Sequence, residues 1–386
     1  MERTSQQYIT LDSIIGRAYE KVEGNGKYKF FVLYATIIAI WNYAIFLNSH
    51  SLMLIMPEID CFRDDIWIKC NRDDVCLNQK YNVPYVYKKR KGHNFITEFD
   101  WYCEKTKPAY LISSMFFFGA TCSALFVGML SDLYGRVIVL CAGMLGSMAS
   151  LSVLFYIGNE AICPISIFVY GAFAISVNSN SFNYLTDSIH EKYRGVFPTI
   201  LAASVPVGNI IFATLMKFDL SWREGYTAMI YIETTFFFSL FIIRESPVYY
   251  FFRGIKKKTC NRLEHIAKIN GVKRSSQQRV NIPRRDNDPN SLQKRIKEVF
   301  RKKNYIIYLF MFCIMRFTGN LVYYGVSLNV EKMGSDTHLN AIILGFTEFI
   351  ACIVSYGFLH RISEKRTLAV GYCICLLYTS PSPRDS

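Results

Sequence analysis

The chain has 386 residues and a formal net charge of +14; 51% of its residues are apolar and 16% are aromatic. Its mean hydropathy of +0.17 is positive, which is unusual for a soluble protein. Most of the excess positive charge lies in one stretch, residues 253–303. We read that stretch as a loop beside a membrane and exclude a nucleic-acid partner.

Eight apolar segments of membrane-spanning length follow one another along the chain. They are residues 29–50, 108–130, 137–157, 162–186, 196–217, 223–244, 304–326 and 338–359. Each is close to the roughly 20 residues that cross a bilayer. A soluble protein with eight buried helices would show polar faces at helical spacing, whereas these segments are apolar nearly all round. The sequence therefore predicts an all-α integral membrane protein.

The charged segments between the spans predict the orientation of the protein. Loops rich in lysine and arginine stay on the cytosolic side, which places residues 253–303 inside. Counting spans back from that loop places residues 1–28 in the cytosol as well. Those residues are polar and of mixed charge, without a cleavable signal. We therefore expect the first span to act as an uncleaved anchor.

An outer segment, residues 57–107, follows the first span and contains Cys61, Cys70, Cys76 and Cys103. An even number of cysteines in an oxidising compartment favours two disulfides. Four cysteines allow three pairings, and the sequence does not choose among them. Zinc is the competing interpretation, but the spacing lacks the paired short motifs of zinc sites, so no metal is predicted.

A short polar hairpin, GMLSDLYGR, lies between the second and third spans, from Gly128 to Arg136. Gly128 would let two helices approach closely. Asp132 and Arg136 are opposite charges one helical turn apart, with Gly135 between them. We interpret the hairpin as a gate lock that holds one conformation. The alternative is an ordinary tight loop with a snorkelling arginine.

Polar side chains recur at helical spacing in two spans. The fourth span carries Ser176, Asn180, Asn183 and Asp187, and the seventh carries Arg316, Asn320, Tyr323 and Ser327. A polar face in an apolar span must meet water, substrate or another helix. The functional interpretation is the lining of a central cavity, and the alternative is hydrogen bonding between helices.

Among the ionisable residues within the spans, three stand out, namely Glu233, Arg316 and Glu348. Charge is costly in hydrocarbon, so such residues are functional candidates. A carboxylate in an aromatic-lined cavity suits an organic cation. Arg316 could instead hold an anion, or pair silently with Glu348 or Glu233.

Several strings in chain order resemble the organic cation and organic anion transporter family (solute carrier family twenty-two) of the major facilitator superfamily. They are FDWYCEK at Phe99–Lys105, the GMLSDLYGR hairpin, YRG at Tyr193–Gly195, ESPVYYFFRG at Glu245–Gly254, IAKINGV at Ile266–Val272, and YYGVSLNVEKMGSDTHLN at Tyr323–Asn340 followed by GFTEF. Sugar porters share the hairpin and the ESP string but lack the large cysteine-bearing outer loop. Leu133, where a basic residue is usual, and Arg316, where a tryptophan is expected, depart from the family pattern.

The resemblance implies two six-helix bundles. The first would be complete at residues 29–252, followed by the basic loop at 253–303 and part of the second bundle at 304–374. Residues 375–386 contain CLLYTSPSPRD, which matches a frame translation of a sequencing-library adapter. We expect this tail to be non-native and the chain to be truncated at its carboxyl end.

The resemblance also assigns roles to residues. Glu348 matches an acid near the substrate path, and Cys352 stands where organic-anion members carry lysine. Asp187 and Arg194, at the inner end of the fourth span, would join Asp132 and Arg136 in a cytosolic charge network.

No catalytic motif, phosphate-binding loop or metal-ligand spacing is present, so neither an enzyme nor a cofactor is predicted. The sequence favours a secondary transporter of small organic cations or zwitterions, placed in the plasma membrane. An organic anion or sugar transporter of the same fold, and a non-transporting receptor or scaffold, are the alternatives. Two basic amphipathic segments, near residues 263–269 and 292–300, suggest contact with an anionic inner leaflet. A solvated linker is an equal alternative, and the oligomeric state is left open.

Overall fold

The computed structural model describes residues 16–22, 26–55, 59–63, 66–70, 76, 85–87, 94–99, 101, 103, 107–157, 161–218, 220–239, 241–272, 301–327, 336–362 and 364–379. Eleven helices are named here in chain order: α1 Lys27–Met53, α2 Lys107–Tyr134, α3 Arg136–Ile157, α4 Cys163–Ser188, α5 Val196–Lys217, α6 Trp222–Ser239, α7 Pro247–Phe252, α8 Lys256–Ile269, α9 Lys303–Ser327, α10 Thr337–Arg361 and α11 Glu364–Thr379. The predicted all-α membrane fold is confirmed.

Seven of the described helices are long and apolar enough to cross a membrane, namely α1 to α5, α9 and α10. They coincide with seven of the eight predicted spans. The remaining one, predicted at residues 223–244, corresponds to α6, which ends earlier, at Ser239, and carries Arg223, Glu224 and Glu233. These charges set α6 apart from the other spans.

Helix α4 lies at the centre of the first bundle and packs against α2, α3 and α1. Two glycines permit the closest of these contacts. A Cβ atom added to Gly171 would lie 2.3 Å from the carbonyl oxygen of Phe116, and one added to Gly119 would lie 2.0 Å from that of Phe168. Helices α2 and α4 can therefore touch along their backbones, as small residues allow in membranes.

The outer segment contains a three-stranded antiparallel sheet in the order β2-β1-β3, made of β1 Ile59–Arg63, β2 Ile66–Cys70 and β3 Tyr85–Tyr87. Its cysteine prediction is confirmed for one pair, because Cys76 and Cys103 form a disulfide. Cys61 is disulfide-bonded as well. The side chain of Cys70 lies outside the described part of the chain.

A single helical turn, Phe95–Glu98, anchors the outer segment on the first bundle. The ring of Phe95 meets that of Trp222 edge-on at 4.9 Å, and Glu98 forms an ion pair with Arg223. Both partners belong to α6, so the outer segment is fixed to the start of that helix.

Helix α8 is joined to the segment that precedes α1 by one asparagine. Asn270 accepts a hydrogen bond from the backbone N–H of Tyr28 at 2.8 Å and donates one to the carbonyl oxygen of Val22 at 2.9 Å. The apolar face of α8, with Leu263 and Ile266, is buried against the bundle. That face is occupied by protein packing, which leaves the exposed lysines of α8 as its outer surface. The second predicted amphipathic segment, near residues 292–300, lies outside the described residues.

The second half of the described chain contains α9, α10 and α11. Helix α10 packs along α5 of the first bundle, and α11 meets α9 through the Tyr372 hydroxyl, which donates to the carbonyl oxygen of Met315 at 2.5 Å. Helix α11 continues to Thr379, beyond the boundary expected at residue 374. Most of the side chains of α9 are exposed and apolar, as a surface facing lipid requires.

Candidate functional site

The structure brings three of the predicted gate residues together at one end of the first bundle. Arg136, at the start of α3, donates from Nε to Asp187 Oδ2 at 3.1 Å and from Nη1 to Asp132 Oδ1 at 2.6 Å. One guanidinium therefore links the ends of α2 and α4. Tyr19 adds a further tie, since its hydroxyl donates to the carbonyl oxygen of Asp187 at 2.8 Å.

Two of the other predicted members of this site, Arg194 and Gly128, differ. Arg194 is exposed and acts on Asp187 only through the longer-range field; within the described residues it makes no ion pair. The close helix approach expected at Gly128 is not found in the described part of the chain, where a Cβ atom added to it would meet no other atom within 4 Å. In this conformation Gly128 faces outward on α2, so its role in a close helix contact stays a prediction.

Sequence reasoning missed Glu245, which completes the network around Arg136. Its Oε2 accepts from the backbone N–H of Val137 and its Oε1 from that of Ser246, each at 3.1 Å. A carboxylate at the start of α3 also complements the helix dipole. Burial raises the pKa of Glu245, against the opposing effect of these backbone donors and of Arg136. The ESPVYYFFRG string contained this signal, but it served only as a family marker.

Gly135 makes room for that carboxylate. Its φ is +111°, and a Cβ atom there would lie 2.2 Å from Glu245 Oε2. Two further groups from the same string hold the hairpin. The Tyr249 hydroxyl donates to the carbonyl oxygen of Leu133 at 3.1 Å, and Arg253 donates to that of Asp132 at 2.9 Å. The hairpin is thus held from α4 on one side and from residues 245–253 on the other.

A cleft lies between the first bundle and the second half of the chain. Its polar lining residues are Asn48, Ser49, Asn209, Ser327 and Glu348. They come from α1, α5, α9 and α10. The Asn209 side-chain oxygen has no hydrogen-bond partner within the described residues. The cleft therefore combines one carboxylate with several neutral hydrogen-bonding groups.

Tyr323 connects the two halves of the protein at this cleft. Its hydroxyl donates to Asn48 Oδ1 at 2.9 Å, which joins α9 to α1. The carboxyl of Glu348, on α10, is close enough to the same hydroxyl to interact with it electrostatically. A tyrosine has one hydroxyl proton to donate. In this conformation that proton goes to Asn48.

Aromatic rings extend from this tyrosine into the first bundle. Tyr324 stands 5.1 Å from Tyr323 and 5.0 Å from Phe117 of α2, both edge-on. Phe117 meets Phe116 at 5.4 Å, and Tyr43 of α1 lies beside Phe116. Aromatic faces close to a carboxylate attract organic cations. Of these rings only Tyr323 was predicted.

A larger, apolar cavity of about 490 Å³ lies between α1, α5 and α10. Trp41, Cys352 and Tyr356 are among its lining residues. Cys352 follows Glu348 by one helical turn on α10, so the cavity and the cleft share one side of that helix. The volume is within the range of sites for small organic molecules.

The remaining predicted binding residues do not line the cleft. Asn180 is fully buried in the first bundle and donates to the carbonyl oxygen of Ser176 at 2.9 Å. Asn183 and Asn320 are exposed, and so is Arg316. Within the described residues Arg316 forms no ion pair with Glu348 or Glu233. The silent pairing considered for it is absent from this conformation.

Comparisons with known proteins agree with this architecture. The sequence model described as Major Facilitator Superfamily matches residues 106–382. The organic cation/carnitine transporter 2 of Mus musculus is 25% identical over 280 residues, covering 71% of this chain and 50% of that protein. The steroid transmembrane transporter SLC22A24 of Homo sapiens is 22% identical over 275 residues, with 70% and 50% covered. The chain spans about half the length of these curated relatives.

Among solved structures, the xylose transporter XylE from E. coli, in a partially occluded inward-open conformation, aligns with a TM-score of 0.55. The alignment covers 88% of this chain and 75% of that one, at 13% sequence identity. At that identity the likeness shows the fold alone.

Proposed function

Because this chain belongs to the Major Facilitator Superfamily, we propose that it moves small organic cations or zwitterions across a membrane by alternating access. Several of its curated relatives are solute carrier family 22 members, which confirms the family predicted from the sequence. The protein is an integral membrane protein, and we propose the plasma membrane as its location.

The observation that carries the proposal is the position of Glu348. Its carboxyl faces the cleft between the two halves, beside Tyr323 and Asn48. An organic cation entering the cleft would pair with the carboxylate and would lie against the rings of Tyr323 and Tyr324. The apolar cavity next to Cys352 would take the hydrocarbon part of the substrate.

Alternating access needs contacts that differ between two states. The bond from Tyr323 to Asn48 crosses from one half to the other, so it can open when the halves rock about a central site. The Arg136 network lies at the inner end, where a second set of contacts can favour one state. Substrate bound at Glu348 would thus be coupled to the contact that holds the halves together.

The alternatives have weaker support in the structure. An organic anion would need a cation in the cleft, but the exposed Arg316 is not among the lining residues. A sugar transporter is suggested by fold likeness alone. The relatives are named for different substrates, namely organic cations, carnitine and steroids, so their names leave the substrate open. A receptor or scaffold would not require the polar cleft.

Uptake of a labelled quaternary ammonium ion by membrane vesicles tests the proposal. Glu348→Gln removes the charge and keeps the shape. We expect at least a tenfold loss of uptake, since a charge-assisted contact contributes about 1.5–3 kcal/mol. The matched control is Glu224→Gln, an exposed carboxylate on α6, which should transport normally. Unchanged uptake by Glu348→Gln would refute the assignment. A selective loss of organic-anion uptake in Arg316→Trp would favour the anion alternative.

A further inference from the structure

A second carboxyl group is enclosed within the first bundle, away from the substrate cleft. Glu233, near the middle of α6, is 1% exposed. Neither of its carboxyl oxygens has a hydrogen-bond partner within the described residues. The ion pairs of the described chain join Arg136 to two aspartates and Arg223 to Glu98. None of them neutralises Glu233.

The neighbours of Glu233 are polar but uncharged. The side chain of Asn42 on α1 is within interaction range of the carboxyl, although no donor reaches either oxygen with hydrogen-bond geometry. Asn42 itself donates to Ser147 Oγ of α3 at 3.0 Å and accepts at its backbone oxygen from the Tyr170 hydroxyl of α4 at 2.6 Å. Asn42 is therefore held in place by two other helices.

The titratable groups around this site can be named helix by helix. Helix α4 contributes Tyr170, which feels the field of Glu233, and α1 contributes Tyr43, which acts on Tyr170. Helix α3 contributes Ser147, which does not titrate. Helix α5 lines the cavity beside Glu233 with apolar residues such as Phe212. On α6 itself, Tyr226 lies two turns away, and Arg223 and Glu224 stand at the far end of the helix.

An ionised carboxylate in this environment would be a buried charge without a counter-ion or a donor, which is strongly unfavourable. Either a proton or a small metal cation could neutralise this buried negative charge. A metal cation would need a shell of oxygen ligands, and the described neighbours provide few oxygens besides Asn42. Among the described residues there is also no cluster of metal-ligating side chains. A proton needs only the carboxyl itself.

A row of polar groups leads from the substrate cleft toward this carboxyl. Ser49 lines the cleft, and its hydroxyl meets that of Tyr226 at 2.6 Å. Tyr226 and Glu233 are seven residues apart on α6, which places them on the same face about 10 Å apart. Ile45 and Phe212 line both the cleft and the cavity beside Glu233. The two sites therefore share these two side chains as a common wall.

We propose that Glu233 is a proton-binding site of the first bundle, protonated in the conformation described here. The proton is taken from water in the cleft, binds one carboxyl oxygen, and returns to water when the carboxyl gains access to the cleft. If the protein transports as proposed above, this proton would accompany the cycle. Proton binding itself does not depend on that proposal.

Infrared spectroscopy of the full chain in lipid membranes tests the protonation without requiring transport. At neutral pH we expect the C=O stretching band of a protonated carboxyl, shifted in D₂O. The band should be lost in Glu233→Gln and retained in Glu224→Gln and in Glu348→Gln. A wild-type spectrum without that band, or a band that survives in Glu233→Gln, would overturn the proposal.

Two further measurements guard against a folding defect and against a metal cation. Glu233→Gln is neutral and of equal size, so its melting temperature should remain close to that of the wild type; a large drop would indicate that the carboxylate is ionised and needed. In the wild type, replacing choline chloride by sodium chloride at constant pH should leave the band unchanged. Loss of the band in sodium would identify a sodium site and overturn the proposal.

Discussion

Glu245 shows how one carboxylate can organise the inner face of a bundle. It accepts backbone hydrogen bonds at the start of α3 and at Ser246, immediately before α7. The same carboxylate lies beside Gly135 and interacts electrostatically with the positive charge of Arg136. The turn between α2 and α3 is therefore held to the segment that follows α6 by a side chain that can titrate.

The protonation of Glu245 should make part of the stability depend on pH. Burial raises its pKa in the folded state, although the backbone donors and Arg136 oppose this. The native protein then binds the proton more tightly than the unfolded chain does. The resulting stabilisation is complete below the ordinary carboxyl pKa and is lost as pH rises through the raised value.

We therefore expect the difference in melting temperature between the wild type and Glu245→Gln to become smaller, or to reverse, as pH is raised from about 4 to about 7. Thermal unfolding in detergent at constant ionic strength measures this difference. A difference that increases with pH would show that the backbone donors and Arg136 outweigh burial.

At the scale of elements, the conformation of the hairpin between α2 and α3 requires a glycine at Gly135 but not at Gly128. A side chain at Gly135 would face both a positive φ and the Glu245 carboxylate. We expect Gly135→Ala to reduce the free energy of unfolding by about 2 kcal/mol. Gly128→Ala adds a methyl group to an open helix surface and should be neutral or stabilising by up to about 1 kcal/mol.

The two alanine variants form a matched pair, measured by thermal or denaturant unfolding of the purified protein. Equal losses would mean that Gly128 also lies in a tight contact, as the hairpin sequence first suggested. A stable Gly135→Ala protein would instead contradict the tight placement of Glu245 against the turn.

The helices could be predicted from sequence because long apolar runs are sufficient to define them. The fifth predicted span, 196–217, has the same bounds as α5. The sixth was extended too far, since residues 241–246 leave the helix before Pro247 begins α7. Hydropathy gives the presence of an apolar segment but does not detect where a turn interrupts it.

The site was predicted less completely, because periodicity identifies a face of a helix but not the neighbour that covers it. Asn180 shares its face with Ser176, and Gly143 lets α3 approach that face closely. The polar face of α4 at Ser176 and Asn180 is therefore covered by α3. Tyr323 and Glu348 were predicted, whereas Asn48 carries no periodic signal and is brought to Tyr323 only by the packing of the two halves.

At the scale of the whole molecule, the predicted orientation in the membrane can be tested by labelling a cysteine. Cys260 is exposed on α8, which the positive-inside rule places in the cytosol. A membrane-impermeant maleimide should label this thiol in permeabilised cells and not in intact ones. The comparison of wild type with Cys260→Ser isolates the signal. Labelling of Cys260 in intact cells would show that α8 faces the outside and that the predicted orientation is wrong.

The two hydrogen bonds of Asn270 give α8 a further use. Since they tie this short helix to the residues just before and at the start of α1, α8 should travel as a rigid attachment of the first bundle. An antibody fragment raised against its lysine-bearing surface would then act as a fiducial marker. The tilt of that fragment in electron micrographs would report how far the bundle rotates, without any label placed inside the membrane.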